Sequence, residues 1–187
     1  MSKPQRGGEP LVLAGGALGD LAFDWAGDRY HHAWHFASSN GDVSVMSVES
    51  GSDVAWPVSP PLQQIHRQSF ADGREVVFGV GMAGRGHWSA SFTLIPDLKC
   101  WIVELACRAS VAPETLLSSY RLQGIWRNDG ECGVRCDQAT LPLRLEAASP
   151  SSSTQFGDSL LTFSPQQLTS AAATQQWAFK LIVETNA

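Results

Sequence analysis

The sequence lacks an apolar run long enough to cross a membrane or to form the core of a signal peptide. The apolar stretch that follows the N-terminal residues, Leu11–Ala14, is far too short for either role. We therefore expect no membrane partner and a cytoplasmic location, where cysteine thiols stay reduced.

Basic residues are scarce and scattered. The 187 residues include 13 Lys and Arg against 18 Asp and Glu, which gives a formal net charge of −5. Proteins bind phosphate groups mainly through clustered Lys and Arg. This composition therefore argues against a nucleic acid as a partner.

The chain has too few cysteines for a disulfide framework or a structural zinc site. Cys132 and Cys136 supply two ligands, whereas structural zinc takes four. Cys100 and Cys107 are seven positions apart on one predicted strand, so they point to opposite faces and cannot both complete the site. We predict two reduced loop thiols at Cys132 and Cys136, with a disulfide or a metal as the alternative, and no cofactor.

Histidine is absent after His87, which excludes a hydrolase reading of Gly157–Leu160. These four residues spell the GDSL signature of a serine hydrolase family, but a serine needs a nearby base to be nucleophilic at neutral pH. Too little chain follows to supply the Asp and His of a triad. We expect the match to be accidental and Leu160 to begin a strand.

No helical sequence pattern follows Gly79–Gly84, although this segment matches the dinucleotide-binding pattern G-x-G-x-x-G. That pattern binds a pyrophosphate at the N-terminus of the helix that follows it. Here a strand pattern, His87–Ile95, follows instead. We expect a hairpin whose glycines supply positive φ or make room for a neighbouring backbone.

Alternation of apolar and polar residues runs through the whole chain and predicts an all-β fold. We expect an antiparallel β-sandwich or β-barrel of about nine or ten strands, with at most one or two short helices, the plainest over Pro165–Thr174. One domain should cover residues 1–187, with 1–18 as a flexible N-terminal segment. The clearest predicted strands are Leu21–Trp25, Tyr30–Phe36, Val43–Val48, Val76–Met82, Trp88–Leu94, Trp101–Cys107 and Trp177–Val183.

The turns between these strands predict which strands are neighbours, and the alternation predicts which face of a strand is buried. Turns at Gly27-Asp28 and Pro96-Asp97 predict hairpins over Trp25–Phe36 and Trp88–Leu105. The strands after Asp72-Gly73 predict a meander with one core face and one more polar face, and the alternate residues Val76 to Met82 form a single apolar face.

The histidine cluster His31-His32-Ala33-Trp34-His35 is the densest group of titratable residues. On a strand, His31 and His35 share a face about 13 Å apart, so they cannot bind one metal ion together. His32 points inward, where we expect a hydrogen-bond partner. We therefore predict no metal site, with recruitment of ligands from other strands as the alternative.

The polar faces of these strands are the candidate site. We predict ligand-binding roles for His31, His35, His87, Ser89, Ser91 and Glu104, while any catalytic residue remains unknown. Glu104 lies on an otherwise apolar strand face and shares it with Arg108, which favours a cross-strand ion pair over a catalytic carboxylate.

Three functions fit this pattern. The first is a non-catalytic module that binds a sugar or an apolar small molecule, because seven Trp are more than one core needs and aromatic faces pack against such ligands. The second is an enzyme that uses His87 with Glu104 or an acid near Asp129. The third is a structural subunit that forms a homo-oligomer through the edge strand predicted at Leu141–Leu145, where Pro142 cannot donate a ladder hydrogen bond.

Overall fold

The fold consists of two antiparallel β-sheets that pack face to face, as seen in a computed structural model of the protein. The structure describes residues 5–6, 8–39, 41–130, 133–148 and 150–184, and for residues 5–6 it describes the backbone only. Within these ranges there are sixteen strands, two short 3-10 turns and no α-helix. The strands are β1 Gln5–Arg6, β2 Leu11–Leu13, β3 Asp20–Trp25, β4 Tyr30–Phe36, β5 Val43–Ser47, β6 Gln64–Ser69, β7 Glu75–Ala83, β8 Gly86–Ile95, β9 Cys100–Ala109, β10 Ser118–Gln123, β11 Trp126–Asn128, β12 Gly133–Cys136, β13 Leu143–Ala147, β14 Ser152–Gly157, β15 Leu160–Pro165 and β16 Thr174–Val183. The 3-10 turns are Gly16–Leu18 and Pro96–Leu98.

The larger sheet has the strand order β1-β6-β7-β8-β9-β16-β13-β12-β11, with β1 only two residues long. The smaller sheet has the order β14-β15-β10-β5-β4-β3-β2. The all-β antiparallel prediction is confirmed, and both sheets are open, so the barrel alternative is wrong. The number of strands was underestimated, because short strands such as β11 and β12 carry too few residues to show a period.

Both predicted hairpins are present. Strands β3 and β4 pair from Asp20 opposite His35 to Trp25 opposite Tyr30, and Gly27 in their connection has φ of 84°. Strands β8 and β9 pair over their whole length across the turn that starts at Pro96. The alternation therefore predicted both strand pairs and the turn between them.

The glycine-rich segment forms the end of β7 and the tight turn into β8, as expected for a hairpin. A side chain at Gly81 would place its Cβ 1.6 Å from the carbonyl oxygen of Pro61, and Gly84 has φ of 52°. The glycines thus admit a neighbouring backbone and a left-handed turn. Strand β8 follows the glycines, as the sequence pattern predicts, so no helix N-terminus is present in this described stretch for a pyrophosphate.

Three of the four apolar alternate residues of β7 are exposed, which corrects the expected core face; only Val76 is buried. Phe78, Val80 and Met82 are 40%, 48% and 54% exposed, whereas Val77 is fully buried. The inner side of this strand carries Gly79 and Gly81, which are covered by the chain just before β6. Pattern alone could not reveal this, because glycines on the inner face look like the polar half of the alternation.

The core lies between the sheets and contains most of the tryptophans. Trp34, Trp88, Trp101 and Trp177 are fully buried, and the other three pack against the core at its margins. Trp34 contacts the rings of Phe92 and Trp101 across the two sheets. The tryptophans therefore do not form a ligand face, and that reason for the binding prediction is wrong.

Three further predictions about segments are corrected. Leu143–Ala147 lies between β12 and β16, so it is not an edge strand; Pro142 precedes it and accepts a hydrogen bond from Glu184 N at 2.8 Å. Residues 165–174 contain no helix; they form a loop between β15 and β16, and the Gln175 side chain binds its backbone at Gln167 O and Thr169 N. The N-terminal segment contributes strand β2, with Leu13 in the core, rather than being flexible throughout.

Candidate functional site

A shallow groove of about 410 Å³ lies on the outer face of the larger sheet. We call it the large-sheet groove. Its side chains come from strands β7, β8, β9 and β16 and from the loop before β14. They are Phe78, Ser89, Ser91, Glu104, Ala106, Ser151, Gln176 and Ala178.

Strand register sets the positions of these side chains. Ser91 lies opposite Phe78 on one side and Glu104 on the other, and Glu104 lies opposite Ala178. The next row runs from Val80 through Ser89 and Ala106 to Gln176. Because alternate residues point to the same face, these two rows form one continuous surface. Its middle consists of serines and alanines, whose small size leaves the depression between Phe78 and the β16 side.

Polar contacts order the walls of the groove. Ser91 Oγ donates a hydrogen bond to Glu104 Oε2 at 3.1 Å, so the expected cross-strand partner of Glu104 is a hydroxyl and not an arginine. Ala148 N donates to Ala178 O at 2.9 Å, and Ala178 N donates to Ser152 Oγ at 2.9 Å. These two bonds hold the loop that carries Ser151 against β16.

The structure separates the six predicted site residues into three places. Ser89, Ser91 and Glu104 come together in the large-sheet groove. His87 is on the same face but lines a neighbouring groove with Arg108. His31 and His35 are on the outer face of the smaller sheet, which is the opposite side of the sandwich.

Sequence reasoning missed Phe78 and Gln176 as groove residues. The apolar alternation of β7 predicts a core position for Phe78, and on the last strand the pattern marks only the apolar residues, which leaves out Gln176. The alternation of Trp177 and Phe179 does place Gln176 on the outer face, but only the pairing of β16 with β9 brings it beside Ala106.

The groove on the smaller sheet has a volume of about 470 Å³ and contains Asp24, His31, His35, Met46 and Arg121. His31 and His35 are both exposed, as the strand prediction requires. Across the part of the chain that the structure describes, no three His, Cys, Asp or Glu residues are grouped closely enough to hold a metal ion.

His32 is buried in the core and has the expected hydrogen-bond partner, Tyr120 Oη at 3.1 Å from its Nε2. Burial lowers the pKa of His32 to about 3, because the charged imidazolium would lose its hydration. Its backbone N–H donates to Ser47 Oγ, which in turn donates to Glu49 Oε1 at 2.8 Å. His32 is thus a buried, neutral histidine with a hydrogen-bond partner in the core.

Glu49 is the carboxylate of this buried network. Burial raises the pKa of Glu49 to about 7, while the hydrogen bond from Ser47 and the charge of Arg29 act in the opposite direction. Within the described chain, Glu49 Oε2, Arg29 Nη1 and His32 Nδ1 are buried without a hydrogen-bond partner. The network therefore contains a carboxyl group that changes charge close to neutral pH.

The cysteines offer no reactive site within the described residues. Cys100, Cys107 and Cys136 are free thiols and all three are buried. Burial raises the pKa of Cys107 to about 11 and also raises the pKa of Cys100, which disfavours the nucleophilic thiolate. Cys136 is in strand β12 rather than in a loop, and Cys132 lies outside the described residues.

Comparisons with known protein families and with curated proteins find no match for this chain. The described residues also contain no helix with the length and apolar character needed to cross a bilayer. The geometry of the two outer faces is therefore the basis for a functional argument.

Proposed function

We propose that the protein is a non-catalytic binding module and that the large-sheet groove binds a sugar. The observation that carries this proposal is a partly exposed aromatic ring beside a carboxylate and several hydroxyls. Phe78 is 40% exposed at one side of the groove, and its cross-strand neighbour Ser91 donates to Glu104. Aromatic rings pack against the C–H faces of sugars, and fixed polar groups orient their hydroxyls.

The polar groups of the groove have the donors and acceptors that a sugar requires. The Glu104 carboxylate accepts hydrogen bonds from hydroxyls, and the Gln176 amide both donates and accepts. Ser89 and Ser91 add two hydroxyls on the strand between Phe78 and Glu104. Glu104, Gln176, Ser89 and Ser91 are all on paired strands, so little backbone conformational entropy would be lost when a sugar binds.

Binding without catalysis is favoured because, among the described residues, no second acid or base lines the groove beside Glu104. Glu104 is the only titratable side chain among the residues that line the groove. Sugar hydrolysis generally uses two carboxyl groups on either side of the scissile bond. His87 is in register with Arg108, four residues along β9 from Glu104, or about 13 Å, so it cannot act with Glu104 on one bond.

The alternative acid near the Asp129 turn is also engaged elsewhere. Asp129 Oδ2 lies 3.6 Å from the Arg144 guanidinium, at the far end of the larger sheet beside β11 and β12. An enzyme that combined His87 with this acid would need groups from separate regions of the sheet.

Calorimetric titration of the intact protein with a panel of neutral and acidic trisaccharides tests the proposal. We expect at least one trisaccharide to bind, and Phe78→Ala and Glu104→Gln each to weaken binding about tenfold, or about 1.4 kcal/mol. Ile125→Ala is the control, because Ile125 is 76% exposed and does not line the groove. Absence of binding to the whole panel, or binding that neither groove variant weakens, would refute the proposal.

A further inference from the structure

The large-sheet groove continues into a second depression that is basic. His87 and Arg108 are direct cross-strand neighbours on β8 and β9, and both are exposed. With Ser110 and Thr174 they line a groove of about 760 Å³. We call these four residues the basic end.

Arg108 differs from most arginines of this protein because it has no carboxylate beside it. Within the described part of the chain, Arg108 makes no ion pair. By contrast, six arginines lie within ion-pair distance of an Asp or Glu. These are Arg29, Arg67, Arg74, Arg127, Arg135 and Arg144. In an acidic protein, an exposed arginine beside a histidine and without an acid leaves a local positive charge available to an anion.

Backbone hydrogen bonds fix the position of the basic end. Ala109 N donates to Ala173 O at 2.9 Å, and Ser110 N donates to Arg85 O at 3.2 Å. The groove thus lies between the ends of three strands and not on a single loop. An anion bound here would meet a guanidinium, an imidazole and two hydroxyls on strands whose backbones are held together.

The two depressions follow each other along the same strands. His87, Ser89 and Ser91 are alternate residues of β8, and Glu104, Ala106 and Arg108 are alternate residues of β9. Glu104 and Arg108 are therefore about 13 Å apart on one face. This distance exceeds the size of one sugar ring, and the surface between them consists of small side chains.

We propose that the ligand of this face is an acidic oligosaccharide, with its carboxylate or sulfate group at Arg108 and His87 and its neutral hydroxyls at Glu104. This inference rests on the proposed sugar-binding function and names the class of sugar. The arrangement also sets the direction of the chain, because Glu104 repels the anionic group and Arg108 attracts it.

The test uses the intact protein with a trisaccharide that carries a single uronic acid at one end, the methyl ester of that trisaccharide, and neutral trisaccharides. We expect an acidic trisaccharide to bind at least tenfold more tightly than its ester, and more weakly as NaCl is raised, because salt screens the Arg108 charge. Arg108→Gln should remove the difference between acid and ester. Arg121→Gln, on the outer face of the smaller sheet, is the matched control and should leave it unchanged.

The outcomes separate this inference from the function on which it rests. If esters and neutral trisaccharides bind as tightly as the acids, or if Arg108→Gln leaves binding of the acid unchanged, the acidic ligand is refuted while sugar binding stands. If no trisaccharide binds, both proposals fail.

Discussion

Replacing Glu49 by glutamine should change how the stability of the protein depends on pH. The Glu49 carboxyl is buried beside Ser47, and burial raises its pKa from 4.5 to about 7. Arg29 lowers this pKa and Asp28 raises it, and both are smaller influences than burial. Glutamine has nearly the same shape as the protonated acid and carries no charge at any pH.

The sign and the size of this change in the free energy of unfolding follow from proton linkage. Between pH 4.5 and about 7 the folded protein holds a proton on Glu49 that the unfolded chain releases, so the contribution of Glu49 to stability falls as pH rises. Each pKa unit corresponds to about 1.4 kcal/mol, which gives a total loss of about 3 kcal/mol above pH 7. The Glu49→Gln variant should therefore gain about 3 kcal/mol relative to the natural protein between pH 4.5 and 8.

Urea unfolding followed by tryptophan fluorescence measures this difference, because four tryptophans are fully buried. The comparison must be between the two proteins at each pH, since His32 acts in the opposite direction. The lowered pKa of His32 costs stability as pH falls below 6.5, and both proteins share that loss. Glu114→Gln, at an exposed position, serves as the control. If the difference in stability between the two proteins stays constant from pH 4.5 to 8, the raised pKa of Glu49 is refuted.

Two further predictions concern Gly81 in β7 and Ser159 in the turn between β14 and β15. Gly81→Ala should destabilise the protein by about 2 kcal/mol or more, because its Cβ would overlap the carbonyl oxygen of Pro61. Gly157→Ala, where no atom lies within 4 Å of the added Cβ, should cost much less in the same urea experiment, and equal costs would contradict the overlap. Ser159→Gly should stabilise by about 0.5 kcal/mol, because Ser159 has φ of 59° and the strain of a left-handed residue exceeds the extra entropy of glycine. Thermal or urea unfolding checks the sign, and a loss of stability would show that Ser159 is not strained.

The strands and hairpins could be predicted because their signals are local. A period of two over Tyr30–Phe36 is enough to bury His32 and expose His31 and His35. The inward face of β7 could not be predicted in the same way, because it depends on a distant segment that covers Gly79 and Gly81. Strand order is also non-local, so the sequence did not show that Leu143–Ala147 has neighbours on both sides.

Only the part of the candidate site that depends on local signals could be predicted from the sequence. Ser89, Ser91 and Glu104 belong to adjacent strands joined by one turn, and alternation alone brings them together. His31 and His35 have the same alternation, but it does not specify which sheet a strand joins. Gln176 enters the groove only through pairing of β16 with β9, about 70 positions earlier in the chain, which no short-range pattern encodes.

The central position of β16 determines how the larger sheet can assemble. Strands β6 to β9 form one meander and β11 to β13 form another, and β16 is the strand that joins them. Because β16 comes last of the described strands, the two meanders cannot join until β16 pairs with both, and the loops that it closes are long. Folding should therefore be slow, with a late step that adds one strand between two preformed edges. Before that step, the edges of β9 and β13 are unpaired and open to pairing with other chains.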